Sequence, residues 1–293
     1  MRKDVKRLFI YLFFSFGLSF VWFIIASPQG KYWDDMSYEM QSFIALGMLF
    51  PMIAHVLTRL VTKEGFPLTG QNSMMLGITL KNRKWIYYLL AALLPWFFTE
   101  LGNLIKLLLN PDLYDPHYYI SLGIEKNLLM LFPLNAIVTG SIVSFAAFGE
   151  EGGWRGYMMP KLLKIMNRRN ALILGGIIWG LWHAPLTCLG HNFGTDYPGF
   201  PYVGIIKMCF FCIVMGVLLT FVTEMSGSVW PAAILHGVVN AAPSILAGYI
   251  NPENTAGTEK ISYLLGERMI SYLLAAIIIL LFWKRIENRN NNF

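Results

Sequence analysis

The sequence predicts an all-α, polytopic integral membrane protein, a bundle of about eight transmembrane helices with both termini cytoplasmic. Three observations predict it. Of 293 residues, 56% are hydrophobic and only 14% charged, with a mean hydropathy of +0.52, against about 25% charged in a soluble domain. Apolar runs near the ~20 residues that a helix needs to cross a bilayer recur along the whole chain. Lysine and arginine fall in alternate loops, as the positive-inside rule requires.

The first run, 8–27, follows MRKDVKR and is too long and aromatic for a cleaved signal peptide. No A-x-A site follows it, so it reads as a retained span. Further runs occupy 41–62, 85–107, 128–149, 170–189, 203–223, 229–250 and 269–283, the last being short. Alternating the loops puts Arg2, Lys3, Lys6 and Arg7 on one side with Arg59, Lys63, Lys81, Arg83 and Lys84. Lys161, Lys164, Arg168, Arg169, Lys284, Arg285 and Arg289 join them, whereas the other side receives only Lys31, Lys106, Lys126, Lys260 and Arg268. The net charge of +6 is thus spent on orientation, and no nucleic-acid partner is expected. The reading is a single transmembrane domain over 1–293 without a soluble domain. No long repeat supports an inverted-repeat transporter. Cys188, Cys209 and Cys212 all lie in apolar runs and read as small core residues rather than a disulfide framework.

An ionisable group inside a span costs at least a few kcal/mol, so each such group is a functional candidate. The stretch FGEEGGWRG, at 148–156, places Glu150 and Glu151 at the cytoplasmic end of the fourth span. Glu151 and Arg155 are at i, i+4 with the acid first, the favourable order for an ion pair. Glu150 points about 100° away around the helix and is left for another role. Gly152 and Gly153 remove bulk beside the acids and permit close approach of a helix or an extended ligand. The fifth span contains GIIWGLWHAPL, with His183 near mid-membrane and Trp179 one turn before it, placed to pack over or beside the imidazole. Pro185 frees the carbonyl of Leu181 from the helix ladder. The seventh contains VWPAAILHGVVNAA, where His236 and Asn240 share a face. Carboxylate, imidazoles and amide together suit hydrolysis by an activated water, with donors for an oxyanion. Neither a G-x-S-x-G elbow nor an H-E-x-x-H zinc signature is present. His55, Glu100 and Lys207 each sit alone in their spans and read as packing or interface residues, Glu100 with the option of lining a cavity.

Glu150-Glu151-x-x-x-Arg155, the aromatic before His183 and His236-x-x-x-Asn240 resemble, in order, the three motifs of the CPBP intramembrane proteases. That family unites type II CAAX prenyl endopeptidases with bacteriocin-processing and Abi-type proteins. The likeness covers about 90 residues within a motif-bearing core of about 128–250, and Trp179 stands where the family usually has Phe. It implies Glu150 as general base with His183 its partner, and His236 and Asn240 as oxyanion donors. Glu151, Arg155 and Trp179 would support them, Arg155 also near the substrate's C-terminal end. The substrate would be a hydrophobic or lipidated peptide drawn from the lipid bilayer of a bacterial plasma membrane. No metal or other cofactor is expected. The alternatives are zinc held by Glu150, His183 and His236 with Glu151 or water, and a non-catalytic immunity or scaffold protein. One point fits poorly: on these limits the helical rise puts His183 deeper than Glu150, unless the fourth helix begins later or runs long.

Overall fold

In the computed structural model, residues 2–241, 244–254 and 267–291 are described, and the described residues are helices joined by loops. An isolated bridge between Tyr114 and Ile250 is their only strand-like pairing. Among them, six helical runs are long and apolar enough to cross a membrane: Arg2–Ala26 (α1), Tyr38–Thr62 (α2), Trp85–Leu109 (α3), Phe132–Ile165 (α4), Tyr202–Ser226 and Trp230–Tyr249. The chain is therefore an all-helical, polytopic membrane protein. Six differs from the expected eight. The fifth run folds as Arg168–Trp182 (α5), only 15 residues, because the helix stops at His183. Pro185 has no N–H for the Leu181 carbonyl, and the chain turns through Ala184–Thr187 instead. Tyr202–Ser226 is α6, Trp230–Ala241 is α7, and the eighth expected run lies in Glu267–Asn291 (α8). Lys260 falls outside the described residues.

The fourth helix also departs from expectation. It begins at Phe132 and does not end at FGEEGGWRG but continues to Ile165, widening to a π turn at Trp154–Met158. Glu150 accordingly stands 15 residues before Ile165, and His183 stands 15 residues after Arg168. Two helical arms of equal length thus leave the turn at Met166 and Asn167, which removes the mismatch in depth between the two residues.

The chain forms two compact units, Met1–Thr79 with Ala146–Ala233 and Leu80–Phe145 with Ile234–Phe293. In a bilayer, lipid tails are as apolar as leucine, so close backbone approach and hydrogen bonds hold helices together. The first unit uses both. A Cβ at Gly176 or Gly180 on α5 would collide with the Cα of Ile213 or Cys209 on α6, so these helices meet backbone to backbone. Residues 214–223 of α6 are buried without a break. Gly149 and Gly153 on α4 press on the middle of α2, where a Cβ would lie 2.5 Å from the Met48 and Pro51 carbonyl oxygens. Trp154, Trp179 and Trp182 fill the space between these helices.

A buried polar knot ties the ends of the same helices. Glu64, just past α2, accepts from Tyr157 Oη at 2.6 Å, Thr62 Oγ1 at 2.9 Å and Lys161 Nζ, with Arg7 Nε at 3.4 Å. Lys161 also reaches Asn72 at 2.6 Å and Asp4 at 3.4 Å. Burial alone would raise the Glu64 carboxyl, but the hydrogen bonds from Lys161, Tyr157 and Thr62 prevail and hold it at about 2.

In the second unit, α8 packs along α3 through Ser271 Oγ to the Phe98 carbonyl at 2.7 Å and Tyr272 Oη to the Pro95 carbonyl at 3.1 Å. The Glu100 carboxylate accepts from the backbone N–H groups of Ile245 and Leu246 at 2.6 and 3.2 Å and from Ser244 Oγ at 2.9 Å. Asn103 supports the same turn by donating to Ser244 Oγ at 2.7 Å. Gly237 on α7 crosses α4 so closely that a Cβ would lie 2.5 Å from the Gly140 carbonyl oxygen.

Candidate active site

The first unit brings Glu150, Glu151, Arg155, Trp179 and His183 together. Glu150 is 2% exposed and Glu151 wholly buried, both on α4. Arg155 Nη1 donates to Glu151 Oε1 at 3.1 Å, the i, i+4 pair that the spacing predicts. Glu150 turns the other way, toward α5, where the Trp179 indole N–H donates to its Oε2 at 2.6 Å. The Trp179 carbonyl accepts from His183 Nδ1 at 2.9 Å. A carbonyl can only accept, so the imidazole carries a proton on Nδ1, and in the neutral ring Nε2 is the basic nitrogen.

Trp179 thus links carboxylate and imidazole by its two polar atoms. Its place in the sequence predicts a ring beside His183, and the rings are indeed 5.8 Å apart and tilted. Its reach to Glu150 is not visible in the sequence. A phenylalanine at this position has no N–H, so the departure from the usual motif changes what Glu150 is bonded to. The same ring takes the Arg155 guanidinium 4.1 Å from its centroid, a cation–π contact between two buried side chains. Gly216 on α6 lies beside that guanidinium, where a Cβ would stand in ordinary contact, 3.7 Å from Arg155 Nη2. Trp182 meets the His183 ring edge to face at 4.8 Å and is backed by Phe23 of α1.

His236 and Asn240 lie in the second unit, on α7. They share a helix face as predicted, His236 buried and Asn240 exposed. Gly152 and Gly153, expected to admit a helix or a ligand, admit α2: a Cβ at Gly152 would meet Met52 Sδ at 2.6 Å.

The remaining polar candidates have structural partners. His55 is clamped between Arg59 and the Gly152 carbonyl. Lys207 lies 5.1 Å from the Tyr197 ring centroid. The His191 ring lies tilted against Trp33 with centroids 4.2 Å apart, and burial lowers its pKa to about 4. Cys212 is buried as expected, but Cys188 is exposed. Among the described residues, no three His, Cys, Asp or Glu side chains gather as a metal ion would need.

A polytopic membrane protein with a carboxylate pair and an imidazole in its interior defines a narrow class, and sequence comparison agrees with it. Residues 131–242 match the family described as Rce1-like, type II CAAX prenyl endopeptidase. A CAAX prenyl protease 2 from Methanococcus maripaludis is 31% identical over 142 residues, 47% of this chain and 48% of that protein. The chain therefore spans about half the length of the curated relative it matches.

Proposed function

We propose that the chain is an intramembrane endopeptidase that cleaves a peptide bond in a hydrophobic or lipidated peptide, with Glu150 and His183 activating the attacking water. The observation that carries this reading is the buried chain Glu150–Trp179–His183, lying inside the stretch that matches the Rce1-like family. Glu150 takes a proton from water as the oxygen attacks the peptide carbonyl, and His183, its tautomer fixed by the Trp179 carbonyl, offers Nε2 to orient that water. The oxyanion then accepts hydrogen bonds from His236 and Asn240. Collapse of the tetrahedral intermediate breaks the C–N bond, and the proton held by Glu150 passes to the leaving amine. The relative's name suggests a prenylated peptide as the first substrate to try. The protein would act in a bacterial plasma membrane, with no metal or other cofactor.

The test is cleavage of a farnesylated and an unmodified apolar peptide by the purified chain in detergent, with and without chelator. Wild type should cleave, and Glu150→Gln and His183→Ala should each lose about 10²-fold or more, with chelator having no effect. Normal cleavage by Glu150→Gln refutes the assignment. Chelator-sensitive cleavage replaces it with the zinc enzyme, and no cleavage by wild type favours a non-catalytic immunity or scaffold protein.

A further inference from the structure

We propose that His55 and Arg59 form a clamp that positions the glutamate-bearing helix, an inference that rests on the role given to Glu150 above. Both residues lie on α2, outside the stretch that matches the family, and they are 0% and 1% exposed. A guanidinium has only donors. Arg59 Nε is 2.7 Å from His55 Nε2, so Nε2 must accept and the ring must carry its proton on Nδ1. That Nδ1–H donates to the Gly152 carbonyl oxygen at 2.8 Å. The chain of donors therefore runs Arg59 to His55 to the backbone of α4, two residues past Glu150.

The place where it grips matters. Gly152 stands two residues before the π turn Trp154–Met158, where the helix is wider and its hydrogen-bond ladder is interrupted. Left alone, such a turn can slide its extra residue along the helix, and a slip of one residue swings a side chain by about 100°. The His55 N–H fixes the carbonyl at its entrance. Gly156, inside the π turn, packs beside the ring: a Cβ there would stand 3.7 Å from His55 Cε1 and 3.3 Å from the Met74 carbonyl oxygen. The clamp is anchored in turn. The other Arg59 N–H groups donate to the carbonyls of Gly65 at 3.0 Å, Asn72 at 2.8 Å and Ser73 at 2.6 Å. The His55 ring also lies 4.7 Å from Tyr157, which is held by Glu64. A histidine that merely filled space would not commit both ring nitrogens to specific partners, one of them the main chain of the site.

Two near-isosteric variants separate positioning from packing. His55→Asn puts an amide N–H near the place of Nδ1 and keeps the bond to Gly152. His55→Gln puts its amide near the place of Nε2, keeping a partner for Arg59 while losing Gly152. The full-length protein in nanodiscs is assayed for peptide cleavage, and the ¹⁵N resonance of the Trp179 indole reports on its bond to Glu150. His55→Gln should lose about tenfold or more in kcat with KM within about threefold of wild type, and should shift the indole resonance. His55→Asn should stay within about threefold of wild type in kcat and leave the resonance in place. The proposal is overturned if folded His55→Gln matches wild type in both readouts, or if Asn and Gln fall together. In the wild type, a His55 ring protonated on Nε2 overturns it whatever the variants do. Should wild type cleave nothing, or Glu150→Gln cleave normally, the protease reading fails instead, and the Trp179 resonance still decides the clamp.

Discussion

At the scale of single residues, the site depends on where Trp179 sends its N–H. A hydrogen bond to a charged group is worth about 1.5–3 kcal/mol, and the Trp179–Glu150 bond is buried at 2.6 Å. Trp179→Phe keeps an aromatic ring under Arg155 and the His183 backbone contact but removes the donor. Turnover should fall about 10- to 100-fold with little change in KM, measured on the peptide that wild type cleaves best; unchanged turnover would show that the bond does not hold the reactive geometry. The ionisable members of the candidate site stand out in the sequence by their position, since such groups are expensive in apolar runs. The Glu151–Arg155 pair was legible too, because helical spacing specifies it. The Trp179–Glu150 bond was not, because it joins residues 29 apart in sequence on different helices, and spacing gives the face of a residue without the atom it offers. The main-chain partners of Glu100 and His55 were hidden for the same reason, since they lie on other segments.

Among the elements, α5 carries the imidazole, and its place is set by glycine. Gly176→Leu or Gly180→Leu must push α5 off the α6 backbone, with a destabilisation of roughly 1–3 kcal/mol or more. Ile177→Leu, one residue from Gly176 and 36% exposed, should be neutral. Thermal unfolding in detergent compares them, and equal midpoints for all three would remove the close-packing argument. The polar knot makes a different prediction. Its Glu64 carboxyl is held at about 2, below an ordinary 4.5. The stabilisation it gives is fully present above pH 4.5 and is lost as pH falls toward 2. Wild type should therefore exceed Glu64→Gln in thermal midpoint by a constant margin at neutral pH, with the margin closing on acidification through that window; a pH-independent margin would contradict it. Periodicity and length located most elements, but not the stop of α5 at His183 or the passage of α4 through the glutamates. Hydropathy averages over a window of residues and so cannot register the single missing N–H of Pro185 or a π turn.

For the whole molecule, the basic loops argue for both termini in the cytoplasm. Reporters fused before α1 and after α8 should both be active only as cytoplasmic fusions, and a reporter fused in the acidic segment 110–117 should give the opposite signal. Matching signals from all three would reverse the assignment. The fold class could be read from the sequence because a bilayer admits few solutions for a chain this apolar. The division into two compact units could not, because the helices α4 and α7 each pass from one unit to the other without a change in composition.

The equal arms on either side of Met166 and Asn167 have a consequence for how such a chain can vary in length. Adding one residue to either arm, between Glu150 and Ile165 or between Arg168 and His183, would move that arm's polar group by ~1.5 Å and turn it by ~100°, enough to part the carboxylate from the indole. Substitutions along either arm leave this spacing intact, whereas an insertion or deletion leaves it intact only in the turn or in loops elsewhere. The two 15-residue intervals, Glu150 to Ile165 and Arg168 to His183, are in this sense rulers, and a change in the count of either would be read at the site before any change in its letters.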